Sequence, residues 1–326
     1  MTMTAVSTII KDVSKAEKLP TRDGFGKGLV ELGAENPKVV TLCADLTEST
    51  RAQWFKEKFP TRFFEFGITE QTMMGAAAGF ALSGKVPFAC SYAVFNPGRN
   101  WDFLRVSVCY NNVNVKIVGA HAGISVGADG ATHQALEDLA LTRVLPNLTV
   151  VVPCDAVEAR KATLAVGRHV GPCYLRLGRA ASAVVTTEST PFTLGKAEVF
   201  REGKDVLLVA CGIMVAEAMK AAETLSRKRI SCTVLNMHTI KPLDTSTLIE
   251  WAKKSKAVVS CEEHQVNGGL GGAVAEALGS HHPLPLERVG VLDVFGESGS
   301  PEDLMKKYGL TAEHIVSAVQ KVLGRR

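Results

Sequence analysis

Side chains able to move protons, stack on rings or grip anions recur in this chain directly after short β-rich runs. Asp45, with Ser49 nearby, follows the run Val39–Ala44, and Glu70 follows Arg62–Phe66. Tyr92 and Phe95 close Val86–Tyr92; His121 follows Val115–Ala120 and leads into Gly127-Ala128-Asp129-Gly130 and His133. Arg176 and Arg179 lie at the exit of Tyr174–Leu177. Carboxylates and imidazoles are acid–base groups, aromatic rings are stacking platforms, and arginine forks suit phosphates. Each residue alone has a plainer reading. Glu70 could favour the positive end of a helix, Tyr92 and Phe95 could be core, and Arg176 and Arg179 could be surface ion pairs. Their collection on one rim is what points to an active site.

The rim follows from the elements. The β-rich runs, joined by Val150–Val152, alternate with helical patterns starting near Gly24, Thr69, Asn100, Thr132 and Asp155. Alternation of this kind predicts a parallel sheet wrapped by helices, and near-continuous Val, Ile and Phe runs suit strands covered on both faces. In such sheets ligands bind beyond the carboxyl ends of the strands, where these residues fall. A Ser/Thr-rich stretch, Ala180–Gly195, interrupts the pattern, and a second α/β series follows: Val206–Ala210, Cys232–Asn236, Ala257–Cys261 and a strand near Val289, with helices between and after them. The expected architecture is α/β, two doubly wound domains: residues 20–190, mostly parallel, and a smaller domain at 191–326, with residues 1–19 a polar N-terminal arm.

The 326 residues suit two domains, and 46% hydrophobic with 21% charged residues describes a folded, core-forming chain rather than a disordered one. A net charge of +4 without basic blocks gives no case for nucleic acid. No window approaches a membrane span, and eight scattered cysteines without CxxC spacing read as reduced thiols of a cytoplasmic protein.

The segments FEFGITEQTMMGAAAGFALSG, SYAVFNPGR and VGAHAGISVGADGATHQALEDLALTRVLPNLTVVVPCDAVEA, continuing through GPCYLRLGR, closely resemble the pyrimidine-binding domain of transketolases. The resemblance covers essentially everything after residue 20. It implies a thiamine diphosphate pyrimidine-binding domain followed by a transketolase C-terminal domain. It makes Glu70 the glutamate that protonates the cofactor's aminopyrimidine ring, a catalytic role, and makes Tyr92 and Phe95 the aromatics flanking that ring. Asp45 falls at an acidic position beside the cofactor. Arg22, Ser49 and Arg179 fall where the family binds sugar phosphate. His121, also catalytic by resemblance, lies near the phosphate end with His133, and Asp129 matches the aspartate that selects the hydroxyl configuration at the sugar's second carbon. Where the family usually has Glu before that Asp, this chain has Ala128.

Full-length family members hold a divalent metal, Mg by expectation, and the cofactor diphosphate with an upstream GDG…N motif. No GDG occurs here. The glycine-rich run Asn267–Gly272 reads as a tight strand-to-helix turn rather than a phosphate cradle. The resemblance therefore implies the C-terminal subunit of a split transketolase, working with an N-terminal subunit that carries the GDG diphosphate-binding domain, in a two-plus-two assembly. The implied reaction moves a two-carbon ketol unit from a ketose phosphate such as xylulose 5-phosphate to an aldose phosphate such as ribose 5-phosphate, in the pentose phosphate pathway. Two relatives share the architecture. 1-Deoxyxylulose 5-phosphate synthases typically have Arg where this chain has His121, and 2-oxoacid dehydrogenase beta subunits lack the His121/Asp129/His133 set. A non-catalytic regulatory or assembly subunit is the alternative of another class. The second domain offers no obvious chemistry, with His238, Glu262, Glu263 and His264 expected to be structural or interfacial.

Overall fold

The computed structural model describes residues 9, 10 and 12–325; residues 1–8 and 11 of the expected arm lie outside the described residues. In chain order, β1 (Lys18–Pro20) enters α1 (Thr21–Glu35), followed by β2 (Val39–Cys43), α2 (Gln53–Lys58), β3 (Phe63–Glu65), α3 (Glu70–Leu82) and β4 (Val86–Tyr92). The short turn α4 (Trp101–Phe103) runs into a π-helical segment, Leu104–Tyr110, and then come β5 (Lys116–Ala120), α5 (Asp138–Arg143), β6 (Thr149–Val151), α6 (Ala156–Arg168) and β7 (Cys173–Arg176). After β8 (Ala181–Ala183) come β9 (Glu198–Arg201), β10 (Val206–Ala210), α7 (Met214–Arg227), β11 (Cys232–Asn236) and β12 (Thr239–Lys241). The chain closes with α8 (Thr245–Lys253), β13 (Ala257–Gln265), α9 (Leu270–His281), β14 (Leu286–Val291), α10 (Pro301–Lys307) and α11 (Ala312–Leu323).

Two mostly parallel sheets result. The larger runs β12-β6-β7-β5-β4-β2-β3 and is parallel except for β12, which lies antiparallel to β6. The smaller runs β14-β13-β10-β11-β9 with β9 antiparallel. Every residue of β2, β4, β5, β10 and β11 is buried, which explains why these strands read as unbroken apolar runs instead of alternating ones. Helices α1 and α6 pack close together through glycine. A Cβ on Gly24 would sit 1.9 Å from the Ala156 carbonyl oxygen, so only Gly lets the two backbones meet. No helix among the described residues is long and apolar enough to cross a membrane.

Three expectations change. The pattern near Thr132 gives no helix until Asp138, because residues 132–137 are held in an irregular loop, bridged to the strand exit through Ala122 and Ala135. The helix expected from Asn100 widens into π geometry at Leu104, with the Val113 N–H reaching back five residues to the Val108 carbonyl. The described part of the arm is not a polar lead-in. Ile9 bridges Thr186, Val13 is buried in the core of the second half, and β1 pairs antiparallel with β8. Two strands of the second half, β9 and β12, are also new, and β12 extends the first-half sheet.

Candidate active site

The carboxyl ends of β2, β3, β4, β5 and β7 form one rim, and the chain leaves each strand there with the side chain singled out above. Glu70 is the first residue of α3, and only 1% of it is exposed. Its Oε2 accepts from Arg99 Nη1 at 2.9 Å, and the Asn100 side-chain amide donates to its backbone carbonyl at 3.2 Å. Among the described residues, Oε1 takes no hydrogen bond. The Arg99 guanidinium lies 4.5 Å from the centroid of Phe95, whose ring is parallel to within 13° of Tyr92 at 6.3 Å. Tyr92 in turn stacks on His121 at 3.9 Å, and His133 presents its ring edge-on to both Tyr92, at 6.1 Å, and Phe95, at 5.5 Å. Glu70, Arg99, Phe95, Tyr92, His121 and His133 thus form one wall of charged head and flat rings.

At the far end of that wall, Arg22 Nη1 lies 3.4 Å from His121 Nε2 and donates to the Ser49 carbonyl at 2.9 Å. Arg22 can only donate, so Nε2 is the acceptor and the neutral imidazole carries its proton on Nδ1. That Nδ1 is buried without a partner, as is Arg22 Nε. Burial, then the nearby Arg22, Arg179 and Arg51 charges, pushes the His121 pKa down to about 3. The imidazole is therefore neutral at ordinary pH in a corner that is positive. Burial and the Arg51 and Arg179 charges also lower the Arg22 pKa. Arg51 is paired with Asp23 at 2.6 Å, but among the described residues no carboxylate forms an ion pair with Arg22 or Arg179. Arg179 Nη1 donates to the Val126 carbonyl at 2.8 Å. The corner is complementary to an anion.

Three rim residues carry positive φ without being glycine: Asp45 (57°), Arg51 (67°) and His121 (55°). Such backbone costs about 1 kcal/mol or more per residue and persists where surroundings over-determine it. For Asp45 the surroundings are Glu65, whose Oε1 accepts from the Asp45, Phe66 and Gly67 N–H groups at 2.8, 3.1 and 3.0 Å. Glu65 Oε2 also accepts from the Thr47 hydroxyl at 2.7 Å. One carboxylate so ties the Asp45 loop to the loop that introduces Glu70.

Not every expected residue joins the wall. Asp45 and Asp129 are exposed and, among the described residues, form no hydrogen bond or ion pair with its members, and Ser49 meets the wall's end through its carbonyl, which accepts from Arg22. Arg176, placed on the rim by its position after a strand, points inward instead. It forms a buried pair with Asp138, Nε to Oδ2 at 2.7 Å, and donates to the Glu263 carbonyl at 2.8 Å. Sequence reasoning missed Arg99, Arg51 and Glu65. For Arg99 the signal was present: it lies four residues after Phe95, and the Arg99 N–H bonds the Phe95 carbonyl at 2.9 Å, so one helical turn brings guanidinium over ring.

The glycine-rich turn is closed to anions. The Glu262 carboxylate already accepts the Leu270 and Gly271 N–H groups at the start of α9, both at 2.7 Å, in the place where a phosphate would bind. Among the described residues there is no group of three or more His, Cys, Asp or Glu that could hold a metal ion.

A doubly wound sheet whose rim combines a buried helix-start glutamate, a ring wall and a cationic corner has the chemistry to receive a flat heterocycle beside an anion. Residues 17–183 match the pyrimidine-binding domain of transketolase and residues 195–315 match the transketolase C-terminal domain; the chain belongs to the transketolase family. It is 42% identical to a putative transketolase C-terminal section of Methanocaldococcus jannaschii, over 92% of this chain and 95% of that one. It is also 42% identical to the 6-deoxy-6-sulfo-D-fructose transketolase subunit SqwH of a Clostridium species, over 96% and 97% of the two chains. Among solved structures, a split-gene transketolase described as an inactive beta4 tetramer superposes with a TM-score of 0.88 at 50% identity, covering 94% of this chain and 99% of that one.

Proposed function

We propose that this chain is the C-terminal subunit of a two-chain, thiamine diphosphate-dependent transketolase that transfers a two-carbon ketol unit between sugar phosphates. The observation that carries the reading is the wall itself: buried Glu70 with a free Oε1 at one end, parallel rings in the middle, and unpaired Arg22 and Arg179 around neutral His121 at the other.

The wall fits the pyrimidine end of thiamine diphosphate, which when bound supplies a nucleophilic carbon that attacks the donor's carbonyl. Glu70 would hold and protonate a ring nitrogen through Oε1, while Arg99 occupies Oε2 and keeps the carboxyl oriented. Tyr92 and Phe95 would cover the ring face, with Asp45 beside the cofactor. Arg22 and Arg179 would grip the sugar phosphate with Ser49 and His133 close by, and Asp129 would read the hydroxyl at the sugar's second carbon. His121, held neutral, has Nε2 engaged by Arg22, and the proton on its unpartnered Nδ1 is what it would offer a sugar oxygen.

Glu262 fills the glycine-rich start of α9, and on this reading the diphosphate and its divalent metal, Mg, belong to an N-terminal partner subunit with a GDG motif. The inactive tetramer formed by the similar split-gene chain supports that dependence, and two copies of each subunit is the proposed assembly. On this reading the chain works in cytoplasmic carbohydrate metabolism, with xylulose 5-phosphate as donor and ribose 5-phosphate as acceptor. The division into a pyrimidine-binding domain to residue 190 and a C-terminal domain from 191 is part of the same proposal.

The test is reconstitution of the full chain with a GDG-bearing partner, thiamine diphosphate and Mg, assayed against a panel of ketose phosphates and a 6-sulfo ketose. Glu70→Gln, which removes the acidic proton while keeping volume, is expected to lower ketol transfer at least 100-fold. Unchanged transfer by Glu70→Gln overturns the assignment, and a preference for the sulfo sugar overturns the phosphate donor.

A further inference from the structure

The segment that carries His121, Asp129 and His133 is gripped from the C-terminal half of the chain. Glu263, on β13, is 4% exposed, and its Oε1 accepts the Ser125 N–H at 2.6 Å. The same carboxylate lies flat against Gly123: a Cβ there would come within 2.3 Å of Glu263 Cδ and Oε1. Gly123 has φ of 88° and ψ of −177°, a region that essentially only glycine occupies. Two residues earlier stands His121 with its own positive φ. The far side of the segment is tied to the same half. Gln134 Nε2 donates to the Glu297 carbonyl at 2.9 Å, and the Gln265 N–H donates to the Leu136 carbonyl at 2.8 Å.

The neighbouring backbone donors already have partners in the first half, whereas Ser125 is held by Glu263. The Gly123 N–H is used by the Ala135 carbonyl and the Ala122 N–H by the Leu177 carbonyl, which pins the two residues just after His121 and leaves the turn beyond Gly123 to be set by other contacts. The Ser125 N–H lies two residues past Gly123, and a carboxylate from the other half receives it. Resting on the transketolase reading above, we infer that Glu263 is a positioning residue: by accepting the Ser125 N–H against the bare face of Gly123, it sets the turn that aims His121 at the substrate. The C-terminal half thereby takes part in substrate handling although none of its side chains lies in the wall.

The role needs an acceptor, not a charge. Glu263→Gln presents a carbonyl oxygen at the same distance and keeps the turn; Glu263→Leu does not. In the reconstituted complex, Glu263→Leu is expected to lower kcat/KM for the sugar donor about tenfold or more, with half-saturation by thiamine diphosphate unchanged and Glu263→Gln within about threefold of the parent. Equal loss in both variants, loss shared by cofactor binding, or no loss in Glu263→Leu overturns the inference.

A second readout is independent of ketol transfer. In the full chain alone, the His121 ring signals, identified by their absence in His121→Gln, should shift in Glu263→Leu and stay in place in Glu263→Gln. Unshifted signals in folded Glu263→Leu overturn the positioning role whatever the complex does. An inactive parent complex with those shifts present overturns the transketolase reading and leaves the positioning of His121 standing.

Discussion

Replacing Arg176 with Met should cost this protein more than replacing any arginine of the cationic corner, although one of these, Arg179, stands only three residues further along the chain. Asp138 Oδ2 accepts Arg176 Nε at 2.7 Å and the Tyr174 hydroxyl at 2.8 Å, and Oδ1 accepts Arg176 Nη2 at 3.1 Å. The Asp138 side chain is 1% exposed and that of Arg176 is 6%. Burial pulls the Asp138 pKa upward, but the Arg176 charge and its hydrogen bonds outweigh this and leave it below the ordinary carboxylate value. Arg176→Met leaves that carboxylate charged, buried and bonded only to a phenol, and it strips a donor from the Glu263 carbonyl. Breaking one partner of a buried pair costs about 3–5 kcal/mol. For a chain of this size that is a fall in Tm on the order of 10 °C. Urea unfolding at fixed protomer concentration, followed by far-UV circular dichroism and tryptophan emission, measures it. The double variant Asp138→Leu/Arg176→Met, which removes both charges, should recover more than half of the loss. A single-variant loss below about 1 kcal/mol, or a double variant no more stable than the single, would refute the argument that the pair is a buried, mutually dependent unit.

Arg22→Met, by contrast, should spare stability and raise KM for a ketose phosphate about 10- to 100-fold, with little change for the unphosphorylated ketose; equal loss for both sugars would show that Arg22 does not read the anion. His238, its ring 4.2 Å from Phe192, has its pKa pushed from the ordinary 6.5 down to about 3, by burial with Asp244 opposing. Below pH 6.5 the unfolded chain binds a proton at this position that the folded chain refuses, so the stability it contributes is complete above 6.5 and declines as pH falls toward 3. Relative to His238→Gln, the parent should lose about 1.4 kcal/mol per pH unit across that window, measured as the difference between urea unfolding curves; a difference independent of pH would contradict this.

The rim was legible because its residues sit at strand ends, and strand ends are set by apolar runs that a sequence displays openly. Glu70 as the first residue of α3, Tyr92 as the last of β4 and His121 directly after β5 all follow from that register. Arg176 shows the limit of the same logic. Position after a strand does not say which face a side chain takes, and a buried carboxylate 38 residues away in sequence decided it. The α5 start was misplaced for a related reason: the loop from 132 to 137 has helical composition, but its hydrogen bonds are taken by the strand exit and by the C-terminal half. Glu65 and Glu263 were invisible as positioning groups because what they bind is mainly backbone, and backbone donors leave no mark on residue type.

Strand β12 is only three residues long, yet it bears on how far the two halves of this chain are modular. Its residues follow β11 of the smaller sheet, but Thr239 and Lys241 lie in register with Val151 and Val150, along the flank of β6. The order in which the polypeptide is written and the order in which it is assembled therefore disagree at this point. A fragment cut at residue 190 would present β6 as a naked edge, inviting pairing with another molecule. Recombination between relatives at that boundary would likewise hand the first half a foreign edge strand. Grafts meant to exchange one half should carry residues 239–241 with the larger sheet, or keep both halves from one parent.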